Sequence, residues 1–565
     1  MQSAVRAVTL GALVALAQPA TAQMALPLKR APEATTPAIT PADLMSRMYL
    51  YADDSMMGRA AGSAYNLKAT AYIAAEARRL GLQPAGDSGG FFQNVPLIQR
   101  ALDPNARITV DGTELRMGEE YMPRDQSVVT RSIDGVQVVY GGAWGDIVML
   151  PAEEAAGKLV VLGLPKNPDP RVPSWFVPRA GAIQRFRSAA GIAIVSLDAM
   201  PPQFTQSLAT PQVTLKDDAT PAPAAGAAPL PSYLYLTRAA AERLIGVRLD
   251  SAKTGTVGKT MRGGFAFVET PAPARNVVAV LRGSDPALRG QYVAIGAHND
   301  HVGFDNNPVD HDSLRAYNDA VRKLEMASPT HQVTAEQRAQ IRVNVDSLRR
   351  VRPARPDSIY NGADDDGSGT VSVLEIAEAF AGARAKPKRS IIFVWHTAEE
   401  LGLFGAQYFT DHPTVPRDSI VAQLNMDMVG RGRADDEAGG GPGYLQLIGS
   451  RRLSTELGNL VESVNTSRRQ PFTFDYQYDA AGHPEQFYCR SDHYMYARYG
   501  IPIVFLSTGG HRDYHQVTDE PQYIDYEKMA NVSQFVHDLA TAVANLDHRV
   551  VVDKPKPDPR GNCVQ

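Results

Sequence analysis

The chain has 565 residues, 44% of them hydrophobic and 21% charged, with 57 Lys and Arg against 61 Asp and Glu. That is ample material for a large core and too much length for one ordinary domain, so two or more modules are expected. A formal net charge of -4 with no Lys/Arg block argues against nucleic acid or an anionic membrane surface as partner. A monomer is expected.

Residues 1–22 read as a secretory signal peptide: Arg6 supplies the positive start, 8–17 an apolar run, and Ala20-Thr21-Ala22 a small-residue cleavage site. The run is too short for a membrane span, which needs about 20 apolar residues. No later segment supplies a span, so a periplasmic or extracellular protein without membrane anchor is expected. Residues 23–42, rich in Pro, Thr and Ala, form a flexible leader. In 43–125, the first part of the main domain, apolar residues recur at helical spacing over 66–80, and Gly81 stops the helix.

Residues 126–262 have another texture. Short strand-like runs at 136–140, 158–162 and 192–195 alternate with Gly and Pro, and 216–231 is a low-complexity surface loop. This predicts a small β-rich module inserted into a larger domain. From 263 to 550 strands and helices alternate, the pattern of an α/β fold with a mixed central sheet flanked by helices. Strands are predicted at 276–281, 292–296, 390–395, 421–426 and 502–506, and helices at 370–380, 403–409 and 526–544. A polar stretch at 312–352 reads as a helical hairpin inserted into that domain, and 551–565 as a loose tail.

Only Cys489 and Cys563 occur; they could pair in an oxidising compartment, but nothing in the sequence requires it. With so little thiolate, any metal must be held by His and carboxylates, which is more often a catalytic than a structural arrangement. Candidate ligands fall at the ends of predicted strands: His298, then Glu399 and Glu400, then Asp427, then His515. The carboxyl ends of strands are where open α/β sheets bind ligands. Asp365 lies in the Gly-rich loop GADDDGSG ahead of a helix.

The segments GAHNDH, NGADDDGSGT, HTAEELGLFG, NMDMVG, RSDHYMYARYGIP and DYHQVTDEP resemble, in order and spacing, successive blocks of the M28 family of zinc peptidases. Similarity runs from SMMGRAAGSAYN to about residue 550. The inserted module resembles a protease-associated domain through GKLVVLGLP and RSAAGIAIVSLD. The resemblance implies two zinc ions bridged by Asp365, with His298 and Asp427 completing one and Glu400 and His515 the other. It implies Glu399 as general base and Asp300 as the acid that accepts the other N–H of His298. Tyr514 is a candidate oxyanion donor, with a packed tyrosine as the plain alternative, and His493 is divided between support and substrate contact. Asp364 and Asp366 read as loop-shaping acids, and His301 and His396 as supporting or core residues. The insert between His298 and Asp365 departs from the family pattern; it reads as surface decoration or as a lid.

The function so implied is an aminopeptidase acting on peptides with a free N-terminus. Alternatives are a carboxypeptidase or a glutaminyl-cyclase-like enzyme on the same fold, or a non-catalytic receptor-like protein, since fold alone does not decide reaction.

Overall fold

Three strands with near-continuous apolar runs build the middle of the protein: Tyr292–His298, Ser390–His396 and Ile420–Met426. Such runs suit parallel strands covered on both faces. In the computed structural model, which describes residues 26–124, 130–165, 179–216, 229–328 and 332–565, these strands do pair in parallel. Ile503–Ser507 joins in parallel beside Ile420–Met426. Further neighbours extend the sheet to ten strands among the described residues, including the antiparallel Tyr444–Ile448 on one side and Phe267–Leu281 and Phe92–Leu102 on the other. The expected signal peptide and most of the 216–231 loop lie outside the described residues.

Helices cover both faces, as expected for this class. Pro41–Tyr51, Gly369–Gly382 and Tyr526–Asn545 pack one face, where Met48, Leu374, Phe393 and Phe535 are buried together. Phe404–Asp411 and His493–Ala497 cover the other, with Phe409 and Tyr496 in its core. Full burial of each large apolar side chain contributes about 1.5–3 kcal/mol. The parallel strands are therefore packed from both faces, and groups at their ends are held by that packing.

The β-rich module lies between the long hairpin strands Phe92–Leu102 and Phe267–Leu281, and has its own eight-stranded sheet and core. Strands Ile108–Val110, Thr113–Leu115 and Tyr121–Pro123 belong to that sheet, so the module starts well before residue 126. These strands are three residues each, too short for a periodic signal.

The polar stretch after His298 is no simple hairpin of helices. Phe304–Asp310 and Pro356–Ile359 pair antiparallel, and between them lie a long helix, His311–Ala327, and two short ones, Ala335–Gln340 and Val345–Val351. Ionic contacts bolt the long helix to the 509–523 loop. The Arg315 guanidinium lies 3.7 Å from the Tyr523 ring centre, Asp319 pairs with Arg512, and Arg322 donates to the Gly510 carbonyl at 3.0 Å. His311 is held at both ring nitrogens, by Asp357 at 2.9 Å and the Tyr523 hydroxyl at 3.3 Å. With Arg355 3.1 Å from Glu520, that buried cluster anchors the start of the helix to the 509–523 loop.

Candidate metal centre

Four parallel strands deliver their carboxyl ends to one place. His298 is the last residue of its strand, Asp427 follows Met426, Glu399 and Glu400 follow His396, and His515 lies in the loop after Ser507. Three turns at these ends need left-handed backbone at residues other than glycine: Ala398 (φ 55°), Met428 (φ 58°) and His515 (φ 53°). Such conformations cost of order 1 kcal/mol or more each and cluster at functional sites. The turn at Ala398 explains how two successive glutamates, which would diverge in an extended strand, both face inward.

Asp365 sits between two groups of donors. Its Oδ1 lies 3.1 Å from His298 Nε2, which is 3.7 Å from Asp427 Oδ1. Its Oδ2 lies 3.0 Å from His515 Nε2, which is 3.1 Å from Glu400 Oε2. The neighbouring acids are occupied elsewhere. Asp366 accepts from the backbone N–H groups of His298, Gly369 and Met428, and Asp364 accepts from Gly430 N–H at 2.7 Å. Asp366 lies near His298 and Asp427, but these three bonds take up its oxygens and make it a shaper of the loop. Asp519 cross-links the 509–523 loop to this one by accepting from the N–H groups of Asp364 and Asp365.

The donors fit cations. His298 Nε2 and His515 Nε2 are buried and lie within 3.1 Å of carboxylate oxygens, yet neither makes a hydrogen bond of acceptable geometry. Lone pairs converging on a common point have this arrangement. The protonation pattern agrees. Burial would lower the pKa of His515, but Asp365 and Glu400 override it and raise it to about 10. Burial, opposed by His298 and reinforced by Asp427 and Glu400, holds the Glu399 carboxyl well above the usual carboxylate range. A pocket that crowds acids this way is stabilised by positive charge, and its imidazole–carboxylate set suits zinc and similar ions.

Two supporting roles differ from expectation. The other ring nitrogen of His298 meets the backbone carbonyl of Asp300 at 3.1 Å, while the Asp300 carboxylate stands 3.8 Å away and accepts from Glu399 N–H at 3.1 Å. Asp300 therefore holds the general-base candidate as well as the histidine. The reason is local: a chain turning two residues after the ligand brings the carbonyl nearer than the side chain. His493 is not beside the metal ligands. Its ring is buried against Phe505 at 4.5 Å, and burial lowers its pKa to about 3, as for a neutral core histidine.

One residue escaped the sequence reading, and one expected to support the site finds its partner. Ser491 donates to Asp427 Oδ2 at 2.7 Å and so orients a candidate ligand. His301 Nδ1 lies 2.7 Å from Glu400 Oε1, with its ring near His515. Gly362, in left-handed backbone, leaves room for that ring, since a Cβ there would fall 2.6 Å from it. His301 stands in the GAHNDH segment, so its place in the sequence was a signal; its neighbour Glu400, 99 residues away, was not visible there.

A cavity of about 740 Å³ opens onto Asp365, Glu399, Glu400 and Asp427. Tyr478, Phe487, Phe505 and Tyr514 give it aromatic walls, and Arg322 and Glu325 of the inserted helix form part of its edge. The Tyr514 ring stacks on His515 at 4.1 Å, and burial first of all raises its pKa, so its hydroxyl keeps its proton.

The model of peptidase family M28 matches residues 276–540, which include all five candidate ligands and Glu399. Leupeptin-inactivating enzyme 1 of Streptomyces exfoliatus is 31% identical over 169 residues, covering 29% of this chain and 33% of that protein. Leucine aminopeptidase 1 of Ajellomyces capsulatus is 28% identical over 197 residues, 33% of this chain and 48% of that one. The chain thus spans about a third to a half of the length of these curated relatives. Among solved structures, the aminopeptidase from Aneurinibacillus sp. strain AM-1 aligns over 92% of this chain and 97% of its own, with 15% identity and a TM-score of 0.47. Residues 276–540, a little under half of the chain, thus resemble peptidase family M28.

Proposed function

We propose that this protein is a two-zinc aminopeptidase that removes N-terminal residues from peptides. The observation that carries the reading is Asp365, whose two oxygens face two separate donor groups. His298 and Asp427 would hold one zinc, and Glu400 and His515 the other. Bound there, the ions supply Lewis acidity to the scissile carbonyl and to water. Glu399, held through its backbone by Asp300, takes the proton of the attacking water and passes it to the leaving amine. The Tyr514 hydroxyl donates to the carbonyl oxygen as it gains charge. Export rests on the 1–22 pattern and belongs to the same proposal. Among the described residues, no helix is long and apolar enough to cross a membrane.

The acids lining the cavity favour an α-ammonium group and repel a substrate carboxylate. Free aminoacyl anilides with apolar first residues should therefore be cleaved, and N-acetylation should abolish cleavage. Arg490 keeps a carboxypeptidase in view, because it lines the cavity and its ion pair with Glu485 is long, at 3.4 Å. Trimming of N-blocked peptides from the carboxyl end at comparable rates would overturn the aminopeptidase reading.

The inserted helix bears on substrate size. Arg322 donates to Glu437 at 3.2 Å and to the Asp436 carbonyl at 2.6 Å, which fixes the helix as one edge of the cavity. Arg322→Ala should favour pentapeptides over dipeptides by about fivefold in kcat/KM, equivalent to about 1 kcal/mol, with metal content unchanged. An unchanged length preference would reduce the insert to a surface decoration.

A further inference from the structure

Another part of the cavity wall is the 477–490 loop, which contributes Tyr478, His483, Glu485, Phe487 and Arg490. The loop has little regular structure of its own: two single turns, Gln477–Asp479 and Phe487–Cys489, with left-handed backbone at Gly482 and Gln486. A wall built this way needs partners for its backbone groups. Arg452 supplies one anchor, through Asp479 at 2.6 Å. Beyond the loop's own turns, four more bonds come from Gln565, in a segment that composition alone reads as a loose tail.

Cys563 is disulfide-bonded to Cys489, and Gln565 is only 6% exposed. The Gln565 side chain donates to the carbonyls of Tyr478 (3.0 Å) and Ala480 (3.2 Å) and accepts from Tyr488 N–H at 2.9 Å. Its backbone carbonyl accepts from Gly482 N–H at 3.1 Å. One residue thus ties the beginning, middle and end of the loop. Above it, the Tyr478 and Phe487 rings stack at 4.9 Å and face the cavity as an apolar platform.

We propose that Gln565 and the Cys489–Cys563 disulfide are positioning residues that hold the Tyr478–Phe487 platform in shape. They thereby set the preference for a bulky apolar first residue. The inference rests on the aminopeptidase reading for its substrate and on the loop contacts for its structure. A preformed wall spares the substrate the cost of ordering the loop, whereas a loosened wall charges that cost to binding. The groups that carry out proton transfer lie on other segments and are not disturbed.

Two variants test it, Gln565→Ala with the disulfide intact and the Cys489→Ser/Cys563→Ser pair. Kinetics on leucyl and alanyl anilides, metal content and amide hydrogen exchange of 477–490 are measured on each. The KM for the leucyl substrate should rise about tenfold and for the alanyl one less than about threefold, with kcat within about twofold. Metal content should be unchanged and exchange in the loop faster. Unchanged exchange in Gln565→Ala, or an equal rise in KM for both substrates, would overturn the proposal. Should the double Cys variant not fold, Gln565→Ala alone decides. A wild-type protein that cleaves neither anilide would defeat the aminopeptidase reading, and the exchange result would still decide the strut.

Discussion

Glu399→Gln is expected to lower kcat by about 10²–10⁴-fold, the usual contribution of a general acid–base group, while the metal content stays at the wild-type level. The amide keeps the size of the side chain and leaves the backbone bond from Glu399 N–H to Asp300 intact, so the loop has no reason to move. What it loses is the capacity to accept a proton from water and return it. Glu399 is not interchangeable with its neighbour. Glu400 lies 3.1 Å from His515 Nε2 and 2.7 Å from His301 Nδ1, whereas the nearest imidazole nitrogen to the Glu399 carboxylate, on His298, is 3.9 Å away. Metal analysis beside steady-state kinetics checks the assignment. Near-normal turnover would remove Glu399 from the mechanism, and loss of metal with activity would make it a ligand.

Asp365→Ala should have the larger structural effect. The substitution removes a carboxylate from both donor groups at once and would leave two cations facing each other without a shared anion. Metal content is expected to fall well below two ions per chain. Metal that binds only the folded protein stabilises it by about 4 kcal/mol at a thousand times its Kd, so the melting temperature should fall too. The Asp365→Asn variant separates charge from packing, since it keeps the shape of the side chain and loses the second anionic oxygen. Full metal occupancy in Asp365→Ala would shift the bridging role to Asp366, the other acid near His298 and Asp427. The three backbone N–H groups already bound to Asp366 argue against that result.

The sequence alone determined the α/β class, the central strands and the positions of the candidate ligands. Strands such as 390–396 and 420–426 are buried along their whole length, so they are mostly apolar, with exceptions such as Gln423 and Asn425 hydrogen-bonded to each other, and metal-type residues just past such a run mark a strand end. His298, Glu399, Glu400 and Asp427 announce themselves this way, because burial and strand geometry act over a few neighbouring residues. Contacts between distant segments were decided only by tertiary structure. That His301 meets Glu400, that Ser491 orients Asp427, and that the Asp300 carboxylate turns to Glu399 depend on how loops from different strands converge. The Arg-rich insert and residues 563–565 illustrate the same limit. Their composition is that of solvated chain, and they become ordered because Asp319, Arg322 and Gln565 find partners more than 70 residues away. Hydrogen bonds and ion pairs of that kind leave no periodic trace in a sequence, since each needs only one suitable side chain at each end and a fold that brings the two together.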